Sequence, residues 1–264
     1  MENNLWNHVL KVRNHSPLVH SITNFVVMNN TANALLAVGA SPVMAHAHAE
    51  IEEMVSISNA LVVNIGTLDE YWAQSFFLAA NTANSLHKPW ILDPVGSGAT
   101  SYRDTVLSKL LALKPSVIRG NASEVIALAK ASMTTTKGVD STAQSDDAIE
   151  AAENIVANYG SVVCISGETD VIIDGTERIF LRNGHPMMTK VTGLGCTASA
   201  LIGAFIAAVD NTTEAVAAAM SLLGISGELA AAQSMGPGSL QLHLIDTLYN
   251  ITEEEFLGNL NLTR

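Results

Sequence analysis

The sequence predicts an α/β fold: a mostly parallel sheet covered by helices on both faces. Three observations carry this. Short β-rich apolar runs alternate with longer helical ones along most of the chain. The runs are apolar on both faces, as strands covered on two sides must be. Each ends at a polar or Gly-rich group that suits a strand-to-helix turn.

The elements follow in order. Residues 60–65 form an apolar run ended by Gly66, followed by a helical stretch over 69–86. Residues 89–92 form the next strand, ended by Asp93-Pro94, with a helix over 101–111. A strand at 116–118 runs into Arg119-Gly120-Asn121 and a helix over 122–131. After a polar stretch, a helix over 146–158 leads to a strand at 161–165, ended by Ser166-Gly167. Strands at 171–173 and 178–181, joined at Asp174-Gly175, read as an antiparallel hairpin. The last third is helical over 195–209, 213–232 and 240–250, followed by a short tail. No linker or repeat divides residues 1–264, so one domain is expected.

Composition narrows the function. Hydrophobic residues make up 48% and charged residues 14%, enough for a large core and against disorder. The net charge of −12 argues against a nucleic-acid partner and against a basic membrane-binding face. An anionic substrate then needs local help from backbone N–H groups, a few basic side chains or a divalent metal. The start of the chain lacks a signal-peptide pattern, and apolar stretches such as 198–209 are short for a membrane span. Two cysteines make no disulfide framework. A cytoplasmic protein is expected.

In open α/β sheets, ligands bind beyond the carboxyl ends of the strands. Four predicted strands end there in polar or Gly-rich groups. The strongest local motif is Thr192-Gly193-Leu194-Gly195-Cys196 ahead of a small-residue helix. Its glycines would let backbone N–H groups of Gly193, Leu194 and Gly195 converge on an anion at a positive helix end. Cys196 would lie in the first turn, where a thiol pKa tends to fall, and so suits a base. The plainer reading is a glycine loop with a packed cysteine. Asp93 and Glu124 could hold Mg2+ directly or through its waters. Glu124 could instead complete a capping box with Asn121. Arg119 could meet a phosphate. The segment His20–Asn24, running into a helix with Asn29, Asn30 and Asn33, could line a small heteroaromatic ligand that packs on Met44, or could brace loops. His46 and His48 lack a clear third metal ligand, and Cys164 reads as core.

In order and spacing, HSITN, GASPVMAHA, LDPVGSGAT, RGNASE, KVTGLGCTASALIGAF and the late GPGS together resemble the hydroxyethylthiazole kinase family nearly end to end. The resemblance implies a ribokinase-like fold. It also implies transfer of the ATP γ-phosphate, with Mg2+, to the hydroxyl of 4-methyl-5-(2-hydroxyethyl)thiazole. Carried over, Arg119, Ser166 and Asn121 match the ATP site, and Met44, Gly193 and Asn24 the thiazole site. Cys196 stands where many ribokinase-like enzymes have an Asp base, and Ser166 where Thr is common. A homotrimer with interfacial active sites is also implied. The rivals are a hydroxymethylpyrimidine (phosphate) kinase of the same fold, a nucleotide-binding protein without catalysis, and a cysteine hydrolase. The HSITN and PVMAHA segments favour thiazole over the first. The grouping of Asp93, Glu124 and Cys196 opposes the second, and no His is placed to partner Cys196 in the third.

Overall fold

A computed structural model describes residues 2–132 and 144–264; the polar stretch between the helices that end at 132 and begin at 144 lies outside them. Among the described residues nine strands form one sheet: β1 Leu18–Ile22, β2 Ser41–Val43, β3 Ala60–Asn64, β4 Trp90–Asp93, β5 Val117–Asn121, β6 Val162–Ser166, β7 Asp170–Ile173, β8 Arg178–Leu181 and β9 Leu262–Thr263. Their spatial order is β2-β1-β3-β4-β5-β6-β7-β8-β9. The first six in that order run parallel and the last three antiparallel.

Helices cover both faces. On one face lie α1 Glu2–His15, α2 Met28–Ala37, α8 Leu194–Ala208, α9 Thr212–Ala232, α10 Pro237–Asn250 and α11 Glu253–Asn259, packed on residues such as Val19, Val62 and Ile91. On the other lie α3 Ile51–Ile57, α4 Glu70–Ser85, α5 Ser101–Ala112, α6 Ala122–Ser132 and α7 Gln144–Tyr159, packed on Leu61, Val63 and Leu92. Alternate residues of β3 thus feed opposite cores, the arrangement that a two-sided apolar run encodes. Helix starts follow local chemistry. Asp69 accepts the Trp72 N–H at 2.7 Å, and Asn211 accepts the Glu214 N–H at 3.0 Å. Helix α9 is long and apolar enough to cross a membrane, but 83% of its apolar window is buried within the protein.

Strands β3 to β6 and the β7–β8 hairpin stand where the sequence places them, within a residue or two except at the carboxyl end of β5. Strands β1 and β2 do not; the sequence reading runs His20–Asn24 straight into a helix. Strand β1 hides because two of its five residues, His20 and Ser21, are polar yet fully buried. His20 is held by a hydrogen bond between its Nε2 and the Ala45 carbonyl at 2.7 Å. Strand β2 contains Pro42, which a ladder tolerates because β2 is an edge. At the other edge, β9 in the tail adds a third antiparallel strand to the expected hairpin.

Candidate active site

Register decides what meets at the carboxyl edge. Asn64 and Asp93, the last residues of β3 and β4, are paired across the ladder. Asn121 and Ser166, the last residues of β5 and β6, are paired likewise. Asn24 lies two residues beyond β1, whose Ile22 pairs with Val63. Helix α8 starts over this edge. Its cap, Gly193, has φ +81°, a left-handed conformation that glycine adopts without strain, and its Cα faces the Val27 side chain with no room for a Cβ.

Around Cys196 the polar groups form a closed network. Asn24 Nδ2 donates to Cys196 Sγ at 3.4 Å and to Asn64 Oδ1 at 2.9 Å. Asn64 Nδ2 donates to Asp93 Oδ2 at 2.6 Å. Ser199 Oγ, one turn along α8 from Cys196, donates to the same Oδ2 at 2.8 Å. Asp93 is 1% exposed, and its Oδ1 has no hydrogen-bond partner. Burial pushes the Asp93 carboxyl up to about 6, with Glu124 adding to the rise and Arg119, Ser199 and Asn64 opposing it. Burial, and then the Asp93 charge, raise the Cys196 thiol pKa as well. Hydrogen bonds from Asn64 and Asn24 and the charge of Arg119 pull it down without reversing that. The tendency of a helix start to lower a thiol pKa is therefore outweighed here by desolvation.

On the neighbouring strands, Arg119 Nη2 donates to Ser166 Oγ at 2.6 Å. The same guanidinium packs on the start of α8: a Cβ at Gly195 would lie 2.6 Å from Arg119 Nη1. Its Nε is buried without a partner. Glu124 does complete a capping box, its Oε2 accepting the Asn121 N–H at 2.9 Å while Asn121 Oδ1 accepts the Glu124 N–H at 3.0 Å. It also does more, since its Oε1 accepts the Gly96 N–H at 3.0 Å and so ties α6 to the glycine turn after Asp93.

Asn24, Asp93, Arg119, Ser166, Asn121, Glu124 and the loop from Gly193 to Cys196 therefore share one sheet edge. Half-buried Met44 follows β2 directly and emerges at that edge too, where Phe25, Trp72 and His46 form a run of ring contacts. His48 stacks on Tyr71 with centroids 3.9 Å apart.

Three contributors have no role assigned from the sequence, though Asn64 stands in one of the four polar strand ends. Asn64 is the sole polar residue of a wholly buried strand, a signal that could have marked it. Ser199 lies three residues after Cys196, on the same helical face. Arg103 gives no local sign, yet its guanidinium donates to the carbonyls of Ile65, Val95 and Gly66 at 2.7, 2.9 and 2.9 Å and fastens the turns after β3 and β4 together.

Known proteins are similar to this chain. The model of the hydroxyethylthiazole kinase family matches residues 9–254. A hydroxyethylthiazole kinase from Syntrophus aciditrophicus is 55% identical over 260 residues, 98% of this chain and 96% of its own. The solved structure of the hydroxyethylthiazole kinase of Pyrococcus horikoshii superposes with a TM-score of 0.92 at 39% identity, covering 99% of this chain and 98% of that one. A ribokinase-like superfamily protein from Enterococcus faecalis shares the fold at a TM-score of 0.64 and 15% identity, covering 88% of this chain and 86% of that one.

Proposed function

The chain belongs to the hydroxyethylthiazole kinase family, and on that premise we propose how its residues divide the work. The reaction is ATP-dependent phosphorylation of the hydroxyl of 4-methyl-5-(2-hydroxyethyl)thiazole, a step of thiamine salvage, on a ribokinase-like fold. Residues 1–264 act as a single kinase domain.

Cys196, in its thiolate form, receives the proton of the substrate hydroxyl and becomes the neutral thiol. The observation that carries this is the Asn24 N–H on its sulfur, in the first turn of α8 and beside the Arg119 guanidinium. An N–H donor favours the sulfur as an acceptor, which a base must be. Asn24, Met44 and Gly193 bind the thiazole. The amides of Gly193, Leu194 and Gly195 and the α8 dipole face the transferring phosphoryl group. Arg119, Ser166 and Asn121 bind ATP, and the orphaned Arg119 Nε has a donor to spare for a phosphate oxygen.

Mg2+ fits this site. Asp93 Oδ1 is a buried carboxylate oxygen without a partner, and Glu124 is a second oxygen donor close enough to perturb it. These two residues would hold the ion, which when bound neutralises charge on the phosphates.

Three variants at position 196 test the base. We expect Cys196→Asp to keep kcat or raise it, because a carboxylate is ionised without help. Cys196→Ala should lose roughly 10²-fold or more, and Cys196→Ser should fall near Ala. Wild-type kcat in Cys196→Ala would leave the loop amides acting alone. A homotrimer with interfacial sites fits the exposure of Phe25 and Val26, which directly follow Asn24. Sedimentation at the monomer mass of 27.8 kDa would refute it.

A further inference from the structure

The Asn64 amide can take only one orientation. Its Oδ1 accepts the backbone N–H of Gly66 at 3.0 Å, a donor that cannot turn round. Its Nδ2 must then face Asp93 Oδ2, which already accepts from Ser199. The fixed Asn64 oxygen accepts one hydrogen of Asn24 Nδ2. The second hydrogen of that nitrogen is the one on Cys196 Sγ. Acceptor and donor thus alternate from carboxylate to sulfur with no free choice along the way. Gly66 leaves the space for it, because a Cβ there would lie 2.7 Å from Asn24 Nδ2 and 2.8 Å from Asn24 Cβ.

From this geometry we propose that Asn64 is a positioning residue for phosphoryl transfer, passing the acceptor polarity of Asp93 through Asn24 so that an N–H faces the sulfur of Cys196. With the Asn24 amide turned round, its carbonyl oxygen would face the sulfur. The thiol would then donate its own hydrogen to that oxygen, and the sulfur lone pair would lose the N–H that holds it ready. Asn64 also bonds to the Cys196 sulfur, so its effect on turnover runs through Cys196, by that bond as well as through Asn24. The inference rests on Cys196 as the proton acceptor. That assignment fails on its own if Cys196→Ala keeps wild-type kcat, whereas the present one fails on the cycle below.

The test is a double-mutant cycle. Asn64→Leu keeps the γ-branched shape, in a larger volume, and removes both polar ends. It is assayed alone and with Cys196→Ala, with KM for both substrates and thermal melting alongside. The expected result is a kcat lower by roughly tenfold, the size of one charge-assisted hydrogen bond, with both KM values little changed. In the Cys196→Ala background the loss should disappear, since no sulfur remains to be oriented. A loss of equal size in that background makes Asn64 structural and overturns the proposal, as does no loss in the wild-type background. Should Asn64→Leu not fold, Gly66→Ala decides instead, because it displaces the Asn24 amide without touching Asp93. A kcat loss that vanishes with Cys196→Ala supports the relay; an unchanged kcat, or a loss that persists, overturns it.

Discussion

Around Cys196, side chains bond to side chains: Asn24, Asn64, Asp93 and Ser199 satisfy one another in a buried chain. Around Arg119 such bonds are few. Glu124 gives both oxygens to backbone N–H groups, and Arg119 makes one bond to Ser166 while its Nε stays orphaned. The two regions share a sheet edge and differ in what they withhold. The first is paired throughout before any ligand arrives except at Asp93 Oδ1, as suits a group that must hold one proton-accepting geometry. The second keeps donors unspent, as suits a surface that meets a polyanion.

Removing the unspent donors should break the contrast most visibly. Arg119→Met is expected to lower kcat/KM for ATP by roughly 10²-fold, the scale of a lost charge-assisted contact, while leaving KM for the thiazole close to wild type. Steady-state kinetics with each substrate varied in turn reads this, and an equal rise in both KM values would mean that the two regions do not act separately.

Glu124→Gln should have a smaller, two-part effect. The charge that favours Mg2+ is lost, and one amide oxygen must serve two N–H groups. The Mg2+ concentration for half-maximal rate should rise several-fold, and stability should drop by about 1 kcal/mol, the usual worth of a cap. A lower melting temperature with an unchanged Mg2+ titration would assign Glu124 to capping alone.

The smallest effect on turnover is expected at Asp170, which opens β7 and accepts the Gly167 N–H at 3.0 Å. Burial raises its carboxyl to about 6, against the pull of that N–H and of Arg119. A carboxyl raised above its unfolded value adds stability that is complete below about pH 4 and is lost as pH rises through 6. Asp170→Asn keeps an acceptor for Gly167 and has nothing to ionise. Relative to wild type it should gain about 2–3 kcal/mol between pH 4 and pH 7, followed by denaturant unfolding at several pH values. A constant difference across that range would show that Asp170 ionises as freely in the folded protein as in the unfolded chain.

The same contrast governs what the sequence discloses. The interior strands are legible because a buried parallel strand must be apolar on both faces, so 60–64 and 90–93 announce themselves. Strand β1 is not, because the partner of His20 Nε2 is a carbonyl 25 residues away. Asp93, Arg119 and Cys196 draw notice as rare charged or reactive residues beside glycines. Asn64 and Arg103 do not, since their importance lies in which oxygens they reach, and reach is a property of register and helix placement. Glu124 shows a further limit: the capping box is readable from the spacing to Asn121, but the bond to Gly96 is not.

Gly193 bears on any attempt to reshape the proposed acceptor pocket. Two separate barriers guard it, and they respond to different remedies. Trimming Val27 would clear the space that a side chain at 193 would occupy. Nothing at position 27 alters the φ of +81°, which costs an L-residue about 1 kcal/mol or more. Library designs for new alcohols therefore gain by varying position 27 and holding 193 fixed. The freedom to enlarge the pocket belongs to the strand-end loop, while the loop that starts α8 keeps its shape.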